Sequence, residues 1–123
     1  MEQDIVESAG EAGAGEDLAA VTTGIVGLFR EYYGRGPTRA KTYLLDDRYV
    51  VCVLRDTMTT VERTLAPSDP DLVIRVRLTF QEAMADSFIG VVQQTLGRRV
   101  LTYHSQMTLE PDLGFEFFLL DER

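Results

Sequence analysis

The 123-residue chain has few of the residues on which several kinds of functional site depend. It contains one cysteine, Cys52, so it forms no internal disulfide and no zinc site built from several thiolates. It also contains one histidine, His104, and no tryptophan. No phosphate-binding loop with its lysine, dinucleotide fingerprint or Gly-x-Ser-x-Gly elbow occurs in the sequence. We therefore predict a non-enzymatic protein with no catalytic residue, no metal and no cofactor.

Long apolar runs and basic stripes are missing as well. The longest apolar runs, such as residues 49–54, are far shorter than the ~20 residues that a membrane-spanning helix needs. The N-terminus lacks the basic start and apolar stretch of a secretory signal. No basic stripe is available to bind the phosphates of a nucleic acid. We expect a cytoplasmic protein that neither inserts into a membrane nor binds nucleic acid.

The acidic charge is concentrated at the N-terminal end. Six of the 20 acidic residues lie in the first 17 positions, which contain no lysine or arginine. An acidic segment that is rich in glycine and alanine and poor in large apolar side chains is typical of a solvated tail. We predict a flexible acidic tail over residues 1–15 and one folded domain over residues 16–123, which is long enough for a single core.

Apolar spacing and turn residues predict three helices and four strands in the order α-β-β-α-α-β-β. This order favours an α+β fold, a two-layer sandwich in which a four-stranded, mainly antiparallel sheet carries helices on one face. The predicted elements are a helix from Glu16 or Asp17 to Gly34, strands at 39–45 and 49–54 joined by Asp46-Asp47, a short helix capped by Thr57 or Thr59, a long helix from Asp69 or Asp71 to about Leu96, and strands at 99–109 and 115–120.

The long helix carries apolar residues on two neighbouring faces. A helix that lies on a sheet needs only one apolar stripe, about 100° wide. The second stripe requires another cover, from the first helix or from a partner subunit, and exposed apolar surface of this extent usually marks an interface. We therefore predict a homodimer. The predicted interface residues are Ile74, Leu78, Ala85, Ile89 and Val92.

The turn that follows the first helix is the predicted binding edge. Gly34 can adopt the left-handed conformation that ends a helix, and Gly36-Pro37 prevents the helix from restarting. The turn follows a helix instead of preceding one, so no helix N-terminus faces it. Its amides and nearby basic side chains can hold an anion; the alternative is a structural turn with solvated basic residues. The predicted binding residues are Tyr33, Gly34, Arg35, Gly36, Pro37 and Arg39.

Several other polar residues have structural explanations. Strand alternation places His104 on a solvated face, and Cys52 lies within an apolar strand, where cysteine behaves as a small hydrophobe. Arg75 and Arg77 lie near the start of the long helix, where its dipole disfavours a cation, so we expect a carboxylate partner. A strongly perturbed carboxyl group, or His104, lying in a pocket would instead favour an enzyme.

The order of these features resembles the MpsC-type family of small bacterial domains. The resemblance extends over about residues 16–121, and Met58 stands where the family pattern has leucine. The matching residues are Glu31-Tyr32-Tyr33-Gly34-Arg35-Gly36-Pro37, the hairpin through residues 49–54, Met58-Thr59 with Glu62 and Leu65, Arg77 and Phe80, Gly97-Arg98-Arg99-Val100, and Phe117-Phe118-Leu119.

The family name links such domains to a sodium-translocating, membrane-potential-generating system that is related to bicarbonate supply in some bacteria. The resemblance implies an accessory or regulatory domain that acts by protein association beside a membrane ion- or bicarbonate-transport protein. The alternative is a sensor of a small anion such as bicarbonate, which would bind at the loop 34–37 and its neighbouring arginines.

Overall fold

A computed structural model describes residues 5–9 and 15–122. The helices are α1 (Gly15–Leu28), α2 (Thr60–Leu65), α3 (Pro70–Ala83) and α4 (Ala85–Leu96), and a π-helical segment, Phe29–Tyr33, continues α1. The strands are β1 (Ile5–Ala9), β2 (Arg39–Leu45), β3 (Tyr49–Arg55), β4 (Val100–Thr108) and β5 (Leu113–Leu120).

In the described part of the chain the strands form one sheet in the order β1-β2-β3-β5-β4. The pairs β2–β3, β3–β5 and β5–β4 are antiparallel, so the predicted α+β fold and its order of elements are confirmed. The sheet has one strand more than predicted, because β1 pairs parallel to β2 within the predicted tail. This strand is short and has few large apolar residues, so it leaves little signal in the sequence. It forms because the edge of β2 offers it hydrogen-bond partners. Residues 1–4 and 10–14 of that tail lie outside the described residues.

Local signals placed the turns and helix ends correctly. Asp46 and Asp47 both have φ of 54°, and Arg48 N donates to Leu45 O at 3.0 Å, which is a tight hairpin turn with two left-handed residues. Of the two candidate caps for the short helix, Thr59 is the one used, and it forms a reciprocal capping box with Glu62. Asp69 caps α3 without a reciprocal bond: its side chain accepts from Leu72 N at 3.2 Å.

The predicted long helix is interrupted at Met84, which has φ of −93° and ψ of 4°. Hydrogen bonds from Met84 N to Phe80 O and from Phe88 N to Met84 O, both 3.0 Å long, bridge the interruption. No glycine or proline marks it, so the sequence predicted one continuous helix. The interruption lets α3 lie against β4 while α4 packs against α1.

The core lies between the helices and one face of the sheet. Leu18, Val21, Ile25 and Phe29 are fully buried, as their helical spacing predicted. Tyr32, which the same spacing placed on this stripe, is 59% exposed. The π-helical segment widens the turn, so the residue four positions after Phe29 faces inward instead. The buried sheet residues that complete the core are Ala40, Leu44, Val50, Cys52, Leu54, Phe118 and Leu120.

Two glycines of α1 test the contact between α1 and α4. A Cβ at Gly24 would lie 2.7 Å from Cγ1 of Val91, whereas a Cβ at Gly27 would meet no atom within 4 Å. We expect Gly24→Ala to destabilise the protein by about 1–3 kcal/mol through overpacking. Gly27→Ala should stabilise it by up to about 1 kcal/mol, because alanine favours the helix. Urea unfolding of both variants measures this difference, and equal effects would contradict the close approach.

Candidate functional site

The predicted binding turn is held against the rest of the chain. Gly34 has φ of +83° and ends the first helical region, as predicted. Nε of Arg35 donates to the backbone oxygen of Asp56 at 3.2 Å. Gly36 is partly buried and Pro37 is buried just before β2. Arg35 therefore attaches the turn to the loop that follows β3.

The structure separates the other two predicted binding residues. The side chain of Tyr33 turns towards the helical layer and is partly buried. Arg39 begins β2 and is exposed on the sheet face that points away from the helices. The six predicted binding residues thus do not form one site, and Tyr33 and Arg39 belong to different environments.

Tyr33 lies in a buried polar network centred on Arg77, whose side chain is fully buried. Nη2 of Arg77 donates to Oε1 of Glu62 at 3.0 Å, and Nη1 donates to Oγ1 of Thr57 at 2.7 Å. The guanidinium carbon lies 4.6 Å from the centre of the Tyr33 ring, a cation–π distance. Glu62 is the carboxylate partner that the position of Arg77 in its helix led us to expect.

The Arg77 network, defined as Tyr33, Thr57, Glu62, Arg77 and Asp112, joins five parts of the chain. The hydroxyl of Tyr33 donates to Oε2 of Glu62. The pKa of Tyr33 is raised to about 12, mainly by burial and next by this bond to Glu62. Oδ1 of Asp112, in the turn before β5, accepts bonds from N and Oγ1 of Thr57, each 3.2 Å long. The hydroxyl of Tyr33 donates within the fold and its ring lies against the Arg77 guanidinium, so Tyr33 acts as a structural residue here. No sequence signal had pointed to Asp112.

Arg39 belongs to a basic cluster at one end of the sheet, defined as Arg39, Lys41 and Arg55. Arg39 lies directly opposite Arg55 in the β2–β3 ladder. All three line an open cleft of about 600 Å³, together with Asp56 and Asp112. Because like charges directly opposite each other in a sheet are unfavourable, an anion between these arginines would relieve their repulsion.

The sheet face that carries Arg39 is apolar along its centre. Alternation on a sheet with one solvated face would place polar residues here, yet β3 and β5 present aliphatic and aromatic side chains on this side. Tyr49 is 36% exposed, and its ring stacks on Phe117 at 6.3 Å. Within residues 15–122 the helices pack on the opposite face. We call these residues the uncovered sheet face: Tyr43, Tyr49, Val51, Val53, Phe115, Phe117 and Leu119.

The predicted helical interface is less exposed than its sequence suggested. Val92 is fully buried in the core, so it cannot contact a partner, and this part of the prediction is wrong. Ile89 packs partly against the same core. The reason is that α1 covers α4. The sequence had left two covers open for this stripe, the first helix and a partner subunit. Ile74, Leu78 and Ala85 are partly exposed.

A second buried polar cluster surrounds Glu116, which sequence analysis did not single out. Glu116 is fully buried on the helix-facing side of β5. Its carboxylate accepts bonds from the Tyr103 hydroxyl, from Nε2 of Gln81 and from Oγ of Ser105, the last at 3.0 Å. Burial raises the pKa of Glu116 to about 7, although all three bonds act in the opposite direction. In the sequence, only the position of Glu116 in an otherwise apolar strand could have indicated that this residue is buried.

The Glu116 cluster lies behind one wall of a cleft between α3 and β4. Tyr103 and Ser105 line this cleft, which has a volume of about 470 Å³. Leu78 and Ala85, both predicted interface residues, line it too. His104 also borders the cleft and, as predicted, is exposed.

The fold and sites define a small α+β sandwich domain with one apolar sheet face and two buried polar clusters. No helix among the described residues is long and apolar enough to cross a membrane. A family model described as "Na+-translocating membrane potential-generating system (MpsC)" matches residues 15–122. The chain therefore belongs to the MpsC family, as its sequence motifs suggested. No curated protein and no solved structure matches it.

The Arg77 network predicts a large effect of one substitution on stability. Arg77→Ala would leave Glu62 buried without its cation, and breaking a buried pair in this way costs about 3–5 kcal/mol. Arg63→Ala, on the exposed side of α2, should change the free energy of unfolding by less than about 0.5 kcal/mol. Urea unfolding compares the two, and a similar small loss for both would show that the network contributes little.

Proposed function

We propose that this chain is a non-enzymatic cytoplasmic accessory domain that acts by protein association beside a membrane ion- or bicarbonate-transport system. Membership of the MpsC family supports the connection with such a system. The observation that carries the mode of action is the uncovered sheet face. It combines aromatic and aliphatic side chains on three neighbouring strands with no described helix packed against it.

The association we propose first is a homodimer formed by two uncovered sheet faces. Sheets pack face to face about 10 Å apart when apolar side chains interdigitate, and this face has the aromatic composition of an interface centre. Contiguous apolar surface of this kind is rare on monomers. This proposal moves the predicted interface from the long helix to the sheet.

Charge at the two ends of the face favours a second copy as the occupant. The basic cluster lies at one end of β2 and β3, and the exposed Asp46 lies in the turn at the other end. A two-fold axis that lies between the two faces and runs perpendicular to the strands would bring Asp46 of one copy towards Arg39 and Arg55 of the other. Such an isologous contact pairs opposite charges twice.

The buried carboxyl group does not favour an enzyme. Glu116 has the raised pKa that is typical of many catalytic acids. It is fully buried, however, and its two oxygens already accept three hydrogen bonds from protein groups. A substrate in the cleft would meet Tyr103 and Ser105 before Glu116, so we attribute a structural or regulatory role to this group.

A second candidate function, anion sensing, is favoured by the basic cluster. Arg39 and Arg55 face each other across two strands, and a small oxyanion such as bicarbonate would accept hydrogen bonds from both guanidinium groups. Arg35, the predicted binding residue in the loop, would support the anion site only indirectly, because its Nε already donates to the backbone oxygen of Asp56. In the proposed dimer the same arginines would contact Asp46 of the second copy. Anion sensing is therefore compatible with the dimer only if the anion binds to the monomer or lies beside the dimer contact.

Native mass spectrometry of the protein isolated gently from its own cells tests the association. We expect a dimer in complex with an integral subunit of a transport system. Phe117→Glu should yield monomers, because it places a charge at the centre of the apolar face. Ile74→Glu, on the predicted helical stripe, is the matched control and should leave the dimer intact.

Each other outcome of this experiment has a definite meaning. Dissociation by Ile74→Glu but not by Phe117→Glu would return the interface to α3. A wild-type monomer at tens of micromolar would refute self-association, and a dimer with no transport subunit would contradict the accessory role.

Anion sensing predicts a stability effect that depends on the arginines. If bicarbonate binds between Arg39 and Arg55, a concentration 100 times its dissociation constant stabilises the fold by about 2.7 kcal/mol. The melting temperature of the wild type should rise with bicarbonate at constant ionic strength, and the double variant Arg39→Ala/Arg55→Ala should not respond. An equal response to chloride, or an unchanged response in the variant, would remove the support for this function.

A further inference from the structure

Strand β4 is an edge strand that lacks the usual protection of an edge. In the described part of the chain it is last in the sheet order and has a strand partner, β5, on one side only. Its nine residues include no aspartate, glutamate, lysine, arginine or proline, although charges and proline commonly prevent further pairing at an edge. The irregularity between Val100 and Thr102 affects only the beginning of the strand. From Tyr103 onward, β4 can therefore accept another strand.

Helix α3 forms a groove along this open edge. The helix packs against β4, and three consecutive residues of the strand, Tyr103, His104 and Ser105, line the cleft of about 470 Å³ between them. Consecutive side chains of a strand point to opposite faces of the sheet. They can line one cleft together only where that cleft runs along the edge of the strand. The cleft is therefore a groove between α3 and the open edge of β4.

The Glu116 cluster fixes the shape of this groove. Gln81 of α3 donates to the Glu116 carboxylate, and so do Tyr103 and Ser105 of β4. These bonds connect both walls of the groove to β5. A preformed groove lowers the entropic cost of binding, since only the ligand has to be ordered.

The helix wall of the groove has an apolar centre and one charge of each sign at its ends. Leu78 is partly exposed at the centre. Arg75 and Glu82, on either side of it, are exposed and line the groove as well. Neither forms an ion pair with another residue that the structure describes. Because seven residues separate them, they lie about 10 Å apart along the helix axis.

We propose that this groove binds an extended segment of a partner protein, which adds to β4 as an antiparallel sixth strand of the sheet. Every second side chain of such a segment faces α3, and four residues of strand span about 13 Å. An acidic, an apolar and a basic residue at alternate positions therefore lie against Arg75, Leu78 and Glu82. Main-chain hydrogen bonds to β4 supply affinity, and these three side chains supply specificity.

The order of the two charges in the segment follows from the direction of α3. The Arg77 network connects α3 to the turn that follows β4, and the Glu116 cluster connects Gln81, one turn later in α3, to Ser105. Arg75 thus lies towards the Thr108 end of β4, and Glu82 lies towards its beginning. An antiparallel segment, the more stable pairing, enters at the Thr108 end. Its acidic residue therefore precedes its basic residue.

A second copy of the chain does not fit this groove through its own β4. That strand has its own α3 along its open edge. Packed helices need about 8–10 Å between their axes, whereas paired strands lie about 4.8 Å apart, so the two helices would meet before the strands could pair. The occupant is therefore a different protein. This contact rests on the proposed accessory role, because it needs a partner, but it does not rest on the uncovered sheet face.

Titration of the ¹⁵N-labelled full chain with two synthetic peptides tests the groove. The first is acetyl-Thr-Glu-Thr-Leu-Thr-Lys-Thr-amide, and the second exchanges its glutamate and lysine, so the two have the same composition. We expect amide shifts to change in residues 103–108 and in α3, and to stay constant in β2. The first peptide should bind about fivefold more tightly, the effect of two exposed ion pairs.

Methylation of the peptide nitrogens tests strand addition directly. Alternate N–H groups of a strand point to the same neighbour. Methylation of one alternate set should abolish binding, and methylation of the other set should leave it. Loss of binding with both sets, or with neither, would contradict a sixth strand.

A charge exchange on the protein provides matched variants. Arg75→Glu/Glu82→Arg should prefer the second peptide by a similar factor, whereas Arg63→Glu, on α2, should keep the wild-type preference. All three positions are exposed, so these variants should fold.

Three results would overturn the proposal. They are equal affinity of the wild type for the two peptides, no binding of either peptide at millimolar concentration, and contacts between β4 strands of two copies in the absence of peptide. Native mass spectrometry tests the accessory role separately, because it detects a complex with a transport subunit through any surface.

Discussion

A fully buried arginine imposes the constraint on which the helical layer depends. A guanidinium away from water requires a carboxylate and several acceptors in fixed positions, and Arg77 obtains them from Glu62 and Thr57. Glu62 also caps α2 and accepts from Tyr33, so one ion pair determines where α2, α3 and the end of the first helical region meet. The turn before β5 joins the same network through Asp112.

The described helices pack against one face of the sheet. The helices cover the side that carries Cys52 and Phe118, while the other side presents Val51, Phe115 and Phe117 without a described cover. An antiparallel sheet with a solvated face normally alternates apolar and polar residues. The departure from that rule is the physical basis of the association that we propose. The family to which the chain belongs is named for a membrane potential-generating system.

Sequence predicted those parts of the structure that local chemistry determines, such as the helix ends at Gly34 and Gly97 and the order of the elements. It failed where a contact distant in sequence decides the outcome. Tyr33 turns inward because a π-helical segment shifts the register, and Met84 interrupts a helix without any glycine or proline. Val92 belongs to a helical stripe that suggested an interface, but only the packing of α1 shows that this residue is already buried. Of the candidate sites, the sequence had named Arg39 and the neighbouring turn, and their binding role stays a prediction. It had not named the apolar sheet face, because strand patterns do not show which face the helices leave uncovered.

An isotope-filtered NMR experiment on an equal mixture of labelled and unlabelled protein tests whether two copies associate through the uncovered sheet face. Such a spectrum detects only contacts between side chains of different copies. We expect intermolecular contacts among the methyl and ring protons of Val51, Val53, Phe115 and Phe117. Contacts confined to Ile74 and Leu78, or no intermolecular contacts at millimolar concentration, would contradict this association.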